Sequence, residues 1–145
     1  PPPAQRFMIV VSIKQRYPGH AKQAALVACQ CHAGAYLGRY VVVVDEDIDI
    51  TDLNEVVWAM ATRSDPATSV DILRRTWSGP LDPIIQPGQK GHNSRMIIEA
   101  VRPYEWRDKF PATSAISDET RAEFSKKWEK QLAGVQERQS RARFE

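Results

Sequence analysis

The sequence has few cysteines, no long apolar run and no large excess of one charge, and each lack excludes a class of protein. Its two cysteines, Cys29 and Cys31, are too few and too close together for a disulfide framework. The longest apolar stretches, at residues 7 to 13 and 40 to 44, fall well short of the roughly 20 residues that a membrane-spanning helix requires. The 20 Lys and Arg residues nearly balance the 18 Asp and Glu residues, so we predict no nucleic-acid or membrane partner. We expect a soluble, cytoplasmic protein.

The composition that remains suits one globular domain, because 42% of the residues are hydrophobic and 26% are charged. The chain opens with PPPAQRF, and we interpret residues 1 to 6 as the remnant of a stiff linker. We therefore expect a piece of a longer protein. It would consist of this linker, an α/β domain over residues 7 to 111, and a C-terminal helix within residues 112 to 145.

Short apolar runs alternate with a helical pattern near the start of the chain, which is typical of an α/β fold. FMIVVSI, residues 7 to 13, and RYVVVVD, residues 39 to 45, resemble strands that are buried on both faces of a parallel sheet. Residues 20 to 33 place small side chains on one helical face, namely Ala21, Ala24, Ala25, Ala28 and Cys29. This βαβ crossover predicts a mostly parallel sheet with a closely packed helix.

The middle of the chain predicts a second helix and two more strands. The helix begins at Thr51 and Asp52 and ends before Pro66, with apolar positions at helical spacing: Leu53, Val56, Val57, Met60 and Ala61. Residues 69 to 75 and 95 to 101 predict the third and fourth strands. Between them, residues 76 to 94 hold three prolines and three glycines, and loops of this length in compact domains are usually functional.

The last segment predicts a long C-terminal helix that begins at Ser117. Its apolar positions form one stripe, which consists of Phe124, Trp128, Leu132 and Val135. Such a narrow stripe packs either on its own domain or on a partner.

Five carboxylates fall within residues 45 to 52, directly after the second predicted strand. A calcium EF-hand loop that began at Asp45 would need Gly at its sixth position and Glu at its twelfth, where this chain has Ile50 and Val56. An Asp-x-Asp phosphate-transfer site, similar to the opening motif of haloacid-dehalogenase-type phosphatases, is an alternative. Asp49, however, stands where that motif usually has Thr or Val.

We favour a structural interpretation of this acidic run. Asp45, Asp47 and Asp49 alternate along the end of a strand, and Arg63 is a natural ion partner for them. Asp52 or Thr51 is placed to cap the next helix. The run then forms a polar network between a strand and a helix, and we predict no metal there.

Two other groups of residues are candidate sites. The CQCH segment at residues 29 to 32 lacks the second ligand pair that structural zinc requires, so we interpret its cysteines as core packing. His20 stands at a predicted helix N-terminus next to the carboxyl end of a strand, where open α/β sheets bind ligands. It is a candidate pocket residue, with a capping role as the alternative.

Four segments, taken in order, resemble the C-terminal domain of UbiD-type decarboxylases. They are VVSIKQRYPGHAKQ, RYVVVVDEDIDITDLNEVVWAMATRSDP, GPLDP and SRMIIEAVRPYEWRDKFP. The second segment is specific, since no generic strand and helix pattern requires Trp58, Arg63, Asp65 and Pro66 together. The resemblance covers residues 7 to 111 and the trailing helix.

The resemblance implies a reversible non-oxidative decarboxylase that releases CO₂ from aromatic, heteroaromatic or α,β-unsaturated acids. It also implies prenylated FMN as the cofactor, with Mn²⁺ and K⁺ at the cofactor phosphate. In this family the catalytic Glu-Arg-Glu set and the cofactor ligands lie in preceding domains, and no segment of this chain matches them. We therefore expect this chain alone to have no catalytic residue, to bind no cofactor and to be inactive.

In the family, this domain faces the cofactor domain across a cleft and contributes loop residues to the substrate pocket. The segment WSGPLDP has the matching position, which makes Trp77, Pro80 and Leu81 candidate pocket residues together with His20. The last helix of such enzymes reaches across a dimer. The resemblance thus implies its own N-terminal domains and a second subunit as partners, in a homodimer or higher homo-oligomer.

Two departures argue against the family branch that acts in ubiquinone synthesis. Asp65 and Pro66 are followed by ATS rather than by Ala-Arg-Asp, and MIIEAV stands where that branch has a sequence like MGIDAT. RPYEWRDKFP is closer to the members that act on pyrrole, furan or indole carboxylates. A free-standing dimerisation or regulatory module of the same fold is the non-enzyme alternative.

Overall fold

The structure is a computed structural model that describes residues 7–88, 91–113 and 117–129. The chain divides into two compact units, Pro1–Phe110 and Pro111–Glu145. The predicted linker, residues 1 to 6, falls outside the described residues. Across the described ranges, no helix combines the length and apolarity that crossing a membrane would require.

The first unit is a four-stranded sheet with helices packed on it. The strands in chain order are β1 (Met8–Ile13), β2 (Tyr40–Asp45), β3 (Val70–Trp77) and β4 (His92–Ala100). The helices are α1 (His20–Gln30), α2 (His32–Ala35) and α3 (Leu53–Arg63), followed by a 3₁₀ segment over Tyr104–Lys109.

The order of strands across the sheet is β1-β2-β4-β3. β1 and β2 pair in parallel and enclose α1 in sequence, so the predicted βαβ crossover is confirmed. β2 and β4 are also parallel, but β3 runs antiparallel to β4. The expectation of a mostly parallel sheet therefore needs correction, because the sheet is mixed and has an antiparallel edge strand.

The valine run of β2 lies at the centre of the core. Residues 41 to 44 are all 0% exposed, because successive strand side chains point to opposite faces and both faces are covered. On one face Val41 and Val43 pack with Ala21, Ala25 and Cys29 of α1. On the other face the remaining two valines pack with Val56 and Ala59 of α3.

The apolar face predicted for α3 is only partly correct. Val56 is buried, but Leu53 is 61% exposed and Val57 is 52% exposed. The helix instead directs Ala59 and Arg63 toward the sheet. The helix is rotated relative to the prediction because Arg63 has carboxylate partners at the end of β2, which outweigh the outward-facing apolar positions.

The second unit contains α4 (Asp118–Lys127), whose first turn is capped by the Ser117 side chain accepting from the Thr120 N–H at 3.2 Å. Phe124 and Trp128 are about half exposed, at 53% and 46%. The other two members of the predicted stripe, Leu132 and Val135, lie outside the described residues. The continuation of this helix beyond residue 129 stays a prediction, because those residues lie outside the described ones.

Candidate functional site

The two edges of the sheet carry different sets of the predicted site residues. The parallel strands end at Ile13, Asp45 and Ala100, which defines the carboxyl edge. At the opposite, amino edge, β3 ends at Trp77, which pairs with His92 at the start of β4. A strand of six residues such as β1 spans about 20 Å, so the two edges are far apart.

The structure does not bring the four pocket candidates together. His20 begins α1 directly after the carboxyl edge, whereas Trp77 ends β3 at the amino edge. Pro80 and Leu81 follow Trp77 in the loop between β3 and β4. Trp77 itself belongs to the strand, so the loop predicted over residues 76 to 94 is shortened to residues 78 to 91.

At the carboxyl edge, Asp45, Asp47 and Arg63 form one polar network. Nη1 of Arg63 donates to Oδ2 of Asp45 at 2.9 Å and to Oδ1 of Asp47 at 2.8 Å. Nη2 donates to the second oxygen of Asp47 at 2.8 Å, which completes a bidentate pair. Gln15 and the backbone N–H of Arg102 also donate to Asp45, at 2.9 and 2.8 Å.

The charges of this network stabilise each other. Hydrogen bonds from Arg63 lower the pKa of Asp47, and the same bonds raise the pKa of Arg63. Within the described residues, Nε of Arg63 has no hydrogen-bond acceptor, but the guanidinium carbon lies 5.2 Å from the centroid of the Trp58 ring. The ring therefore supplies a cation–π contact on one face of the guanidinium.

Asp49 lies apart from this network. Its carboxylate accepts from the backbone N–H and the hydroxyl of Thr51, at 2.8 and 2.7 Å, and these bonds lower the pKa of Asp49. The next turn is capped by Asp52, which accepts from the N–H of Asn54 at 2.8 Å. Asp45 and Asp47 therefore pair with Arg63 as predicted, whereas Asp49 does not.

The carboxyl edge is poorly suited to nucleophilic or metal chemistry. Both oxygens of Asp45 accept hydrogen bonds, so this carboxylate has no free oxygen placed to attack a phosphorus atom. In the part of the chain that the structure describes, no three His, Cys, Asp or Glu side chains are grouped to hold a metal ion. The geometry favours the structural interpretation of the acidic run over the phosphate-transfer alternative.

His20 has a local structural partner. Its Nδ1 accepts from the backbone N–H of Arg16 at 3.3 Å, and its ring stacks on Tyr17 with centroids 4.5 Å apart. Gly19, at φ 81°, makes the left-handed turn that places His20 at the start of α1. These contacts lie in the turn before α1 rather than at an N–H of its first turn, so they do not form a helix cap, and the pocket role of His20 stays a prediction.

At the amino edge, the loop between β3 and β4 is held by the buried carboxylate of Asp82, which is 2% exposed. Asp82 forms an ion pair with Arg39 and accepts from Nδ2 of Asn93 at 2.9 Å and from the N–H of Ile84 at 3.2 Å. The N–H of Gly79 donates to the carbonyl of Tyr36 at 2.6 Å. The loop is therefore fixed from inside by polar groups.

The same loop, and the end of β3 before it, expose large apolar side chains. Trp77 is 50% exposed, Leu81 is 67% exposed and Ile84 is 68% exposed, and Pro80 is also exposed. We call these four residues the loop surface. A stable loop that buries its polar groups and exposes its large apolar groups is typical of a surface that another group covers.

Two aromatic residues that the sequence analysis missed stand beside Trp77. The His32 ring lies 6.4 Å from the Trp77 ring, at an interplanar angle of 25°. The Tyr36 ring lies 6.1 Å from it. His32 and Tyr36 are four residues apart, a spacing that could have indicated a shared helical face. With Trp77 they form an aromatic cluster at the amino edge.

Arg95 fixes this cluster and was also missed. Its side chain is 1% exposed and donates to the carbonyls of Gly34, Ala35, Gly38 and Trp77 and, at 2.9 Å, to the hydroxyl of Thr76. Burial lowers the pKa of this guanidinium. Arg95 thus joins the turn that carries His32 and Tyr36 to the strand end that carries Trp77.

Solved structures with the same fold include a UbiD-class enzyme and a vanillic acid decarboxylase. The HmfF enzyme of Pelotomaculum thermopropionicum, in complex with FMN, is 31% identical with a TM-score of 0.67, over 77% of this chain and 24% of that one. The vanillic acid decarboxylase of Sedimentibacter hydroxybenzoicus, in its open form, is also 31% identical with a TM-score of 0.64. That match covers 88% of this chain and 26% of the other.

The sequence comparisons agree with the structures. A phenolic acid decarboxylase of Sedimentibacter hydroxybenzoicus is 37% identical over 95 residues, which are 66% of this chain and 19% of that protein. Residues 1–100 match the family model of the 3-octaprenyl-4-hydroxybenzoate carboxy-lyase C-terminal domain. The fold and these matches define a decarboxylase-type α/β domain. The chain belongs to the family of UbiD-type C-terminal domains, and it spans about a quarter or less of the length of these relatives.

Proposed function

We propose that this chain is the domain that closes over the substrate of a reversible, non-oxidative decarboxylase. The proposal rests on the loop between β3 and β4, which buries polar groups and exposes large apolar side chains. Its buried carboxylate, Asp82, is fully engaged, while Leu81 and Ile84 are about two-thirds exposed. A rigid apolar surface of this kind suits a domain that covers a pocket and excludes water from it.

The reaction needs chemistry that this chain does not supply. Loss of CO₂ from an sp² carbon leaves an electron pair that has no stabilising group, and prenylated FMN supplies the electron sink when it is bound. Arg39 and Arg63 are already paired with buried carboxylates, so neither guanidinium is available to the phosphate of a flavin. We place the cofactor, with its Mn²⁺ and K⁺, and the catalytic carboxylates in the remaining domains of a longer protein.

In this proposal the chain contributes to the reaction by positioning the substrate. Trp77, Pro80 and Leu81 would contact the ring of the acid and orient it, since holding reacting groups in place lowers the barrier without any further acid or base. The Sedimentibacter vanillic acid decarboxylase has been solved in open and closed forms. That pair supports a closing motion as the role of this domain, with the loop surface as the part that meets the substrate.

We propose aromatic or heteroaromatic acids as the substrates, rather than the ubiquinone precursor. The relatives include a phenolic acid decarboxylase and a vanillic acid decarboxylase. The ATS sequence that follows Pro66 differs from the Ala-Arg-Asp of the ubiquinone branch, which also argues against the ubiquinone precursor as the substrate.

The test is a decarboxylation assay on the longer protein that contains this chain, loaded with prenylated FMN. The panel would include vanillate, 4-hydroxybenzoate, pyrrole-2-carboxylate, furan-2-carboxylate and cinnamate. We expect CO₂ release from at least one acid, and none from this chain alone. If the longer protein releases CO₂ from no member of the panel, the proposed function is wrong. CO₂ release by this chain alone would contradict the division of roles between the domains.

A further inference from the structure

A cavity of about 550 Å³ lies at the corner where α1 turns into α2, against the start of β1. Its lining comes from these three elements and the residues that follow α2: Ile9, Ala28, Cys31, His32, Ala33, Gly34, Tyr36 and Leu37. The volume is within the range of sites that hold small organic molecules. The cavity lies at the amino edge, on the same side as the loop surface.

The lining determines what such a molecule could be. Among the described residues, the lining contains no Asp, Glu, Lys or Arg side chain, and its polar side chains are those of Cys31, His32 and Tyr36. A charged group placed there would lose its hydration without gaining an ion partner, which is costly. An uncharged, planar aromatic group fits best, because the two lining rings offer faces for stacking.

The cavity continues into the loop surface through shared residues. His32 and Tyr36 line the cavity and also form the aromatic cluster with Trp77. A ligand with one ring against Trp77 could therefore extend a second apolar group past His32 into the cavity. The two surfaces would act as one elongated site.

The walls of this site are rigid. Arg95 holds three carbonyl groups of the turn, those of Gly34, Ala35 and Gly38. A Cβ atom at Gly34 would lie 1.8 Å from the carbonyl oxygen of Ala28, so only glycine allows this close approach of α2 to α1. A cavity with fixed walls binds a ligand without an ordering cost, which favours affinity.

We infer that the cavity at the α1–α2 corner is an apolar subsite for the part of an aromatic acid that lies away from its carboxylate. The inference rests on the proposed function, and it adds a preference for acids that are longer than a single ring. His32 and Tyr36 form the passage between this subsite and the loop surface.

Binding is tested on this chain with indole as the probe, followed by the backbone amide chemical shifts of residues 28 to 37. Ala33 lines the cavity and is exposed, so Ala33→Leu should fill the cavity without disturbing the core. Ala61→Leu is the matched control, since Ala61 is also exposed and helical but lies on α3. We expect indole to bind the parent chain and Ala61→Leu equally, and Ala33→Leu at least ~10-fold more weakly, because a filled pocket excludes the ring. Succinate should produce no shifts in this segment.

Indole shifts that map elsewhere, or equal affinity for all three chains, would overturn the subsite. Its link to the substrate is tested separately in the longer protein, by comparing kcat/KM for naphthalene-2-carboxylate and for a one-ring acid. Ala33→Leu should lower the ratio of the two-ring to the one-ring acid by about 10-fold, and Ala61→Leu should leave it unchanged. An unchanged ratio in Ala33→Leu would remove the cavity from the substrate site. Failure of the parent protein to decarboxylate any acid would instead contradict the proposed function and leave the indole result standing.

Discussion

Nη1 of Arg63 lies 2.9 Å from Oδ2 of Asp45, and both side chains are almost completely buried, at 2% and 7% exposure. This ion pair connects the last turn of α3 to the end of β2. Because Asp45 also accepts from Gln15 and Arg102, it holds three separate segments at the carboxyl edge. The acidic run therefore links these segments at the carboxyl edge of the sheet, whereas the loop surface lies at the amino edge.

Asp45→Asn should destabilise the fold strongly. The substitution removes the buried charge shared by Arg63 and Arg102 and leaves Arg63 with Asp47 as its carboxylate partner, and weakening buried charged hydrogen bonds in this way costs about 1–3 kcal/mol. We expect the melting temperature in calorimetry to fall by roughly 10 °C. Asp49→Asn is the control, since Asp49 bonds only to its own turn, and its melting temperature should stay much closer to the parent value. Equal falls in the melting temperature of the two variants would contradict the structural role of Asp45. A large shift in the melting temperature of the parent chain on adding EDTA would contradict the absence of a metal at this network.

The stability that Asp47 contributes should depend on pH. Arg63 lowers the pKa of Asp47 below its ordinary value of 3.8, so the folded state favours the ionised carboxylate. This contribution is complete above the pKa of the unfolded chain and is lost as the pH falls through the lower pKa of the folded chain. In urea unfolding, Asp47→Asn should therefore be less stable than the parent at neutral pH, and the difference should shrink as the pH falls below 3.8. A difference that stays constant as the pH falls below 3.8 would argue against the pair.

Arg95→Lys should lower the free energy of unfolding by removing hydrogen bonds at the amino edge of the sheet. An ammonium group has three donors, whereas the guanidinium of Arg95 bonds five acceptors, so at least two acceptors lose their partner. Each unsatisfied buried group costs about 1–3 kcal/mol, and we expect a loss of roughly 2–5 kcal/mol in urea unfolding. Arg74→Lys, on an exposed position of β3, is the matched control and should change stability little. If both variants have the same urea midpoint as the parent, the hydrogen bonds of Arg95 do not stabilise the turn between α1 and β2.

We propose that α4 contributes to a dimer, as the family resemblance implies. Phe124 and Trp128 are exposed one helical turn apart, and a second subunit could cover both. Sedimentation of Trp128→Glu beside the parent chain tests this. We expect the parent to dimerise at high concentration and the variant to remain monomeric. Identical association of the two chains, whether monomeric or dimeric, would exclude Trp128 from a dimer contact.

The elements that the sequence predicted well are those whose signals are local. β1 and β2 are uninterrupted apolar runs, and Asp52 and Pro66 bracket α3, so nearby residues are enough to place them. The direction of β3 depends instead on its pairing with β4 across residues 78 to 91. The same pairing places Trp77 on a strand rather than in a loop.

The candidate site was harder to predict, because its residues come from distant segments. His32 and Tyr36 meet Trp77 only through the turn that Arg95 holds, and a buried arginine with uncharged acceptors has no simple sequence pattern. His20 was grouped with Trp77 although it belongs to the other edge of the sheet. Sequence spacing locates a residue on an element, but the sheet order decides which elements share an edge.

The most direct test of the account is the selectivity of the longer protein with Leu81→Ala, since Leu81 is a central member of the loop surface. Leu53→Ala is the control, because Leu53 is almost equally exposed, at 61% against 67%, but it lies on α3 away from the loop surface. We predict that Leu81→Ala changes the ratio of kcat/KM between bulky and small acids by about 10- to 200-fold, the effect of losing one or two methylene contacts with the substrate. Leu53→Ala should leave this ratio unchanged. An unchanged ratio for Leu81→Ala, or the same change in both variants, would contradict the claim that this domain closes over the substrate with its loop surface.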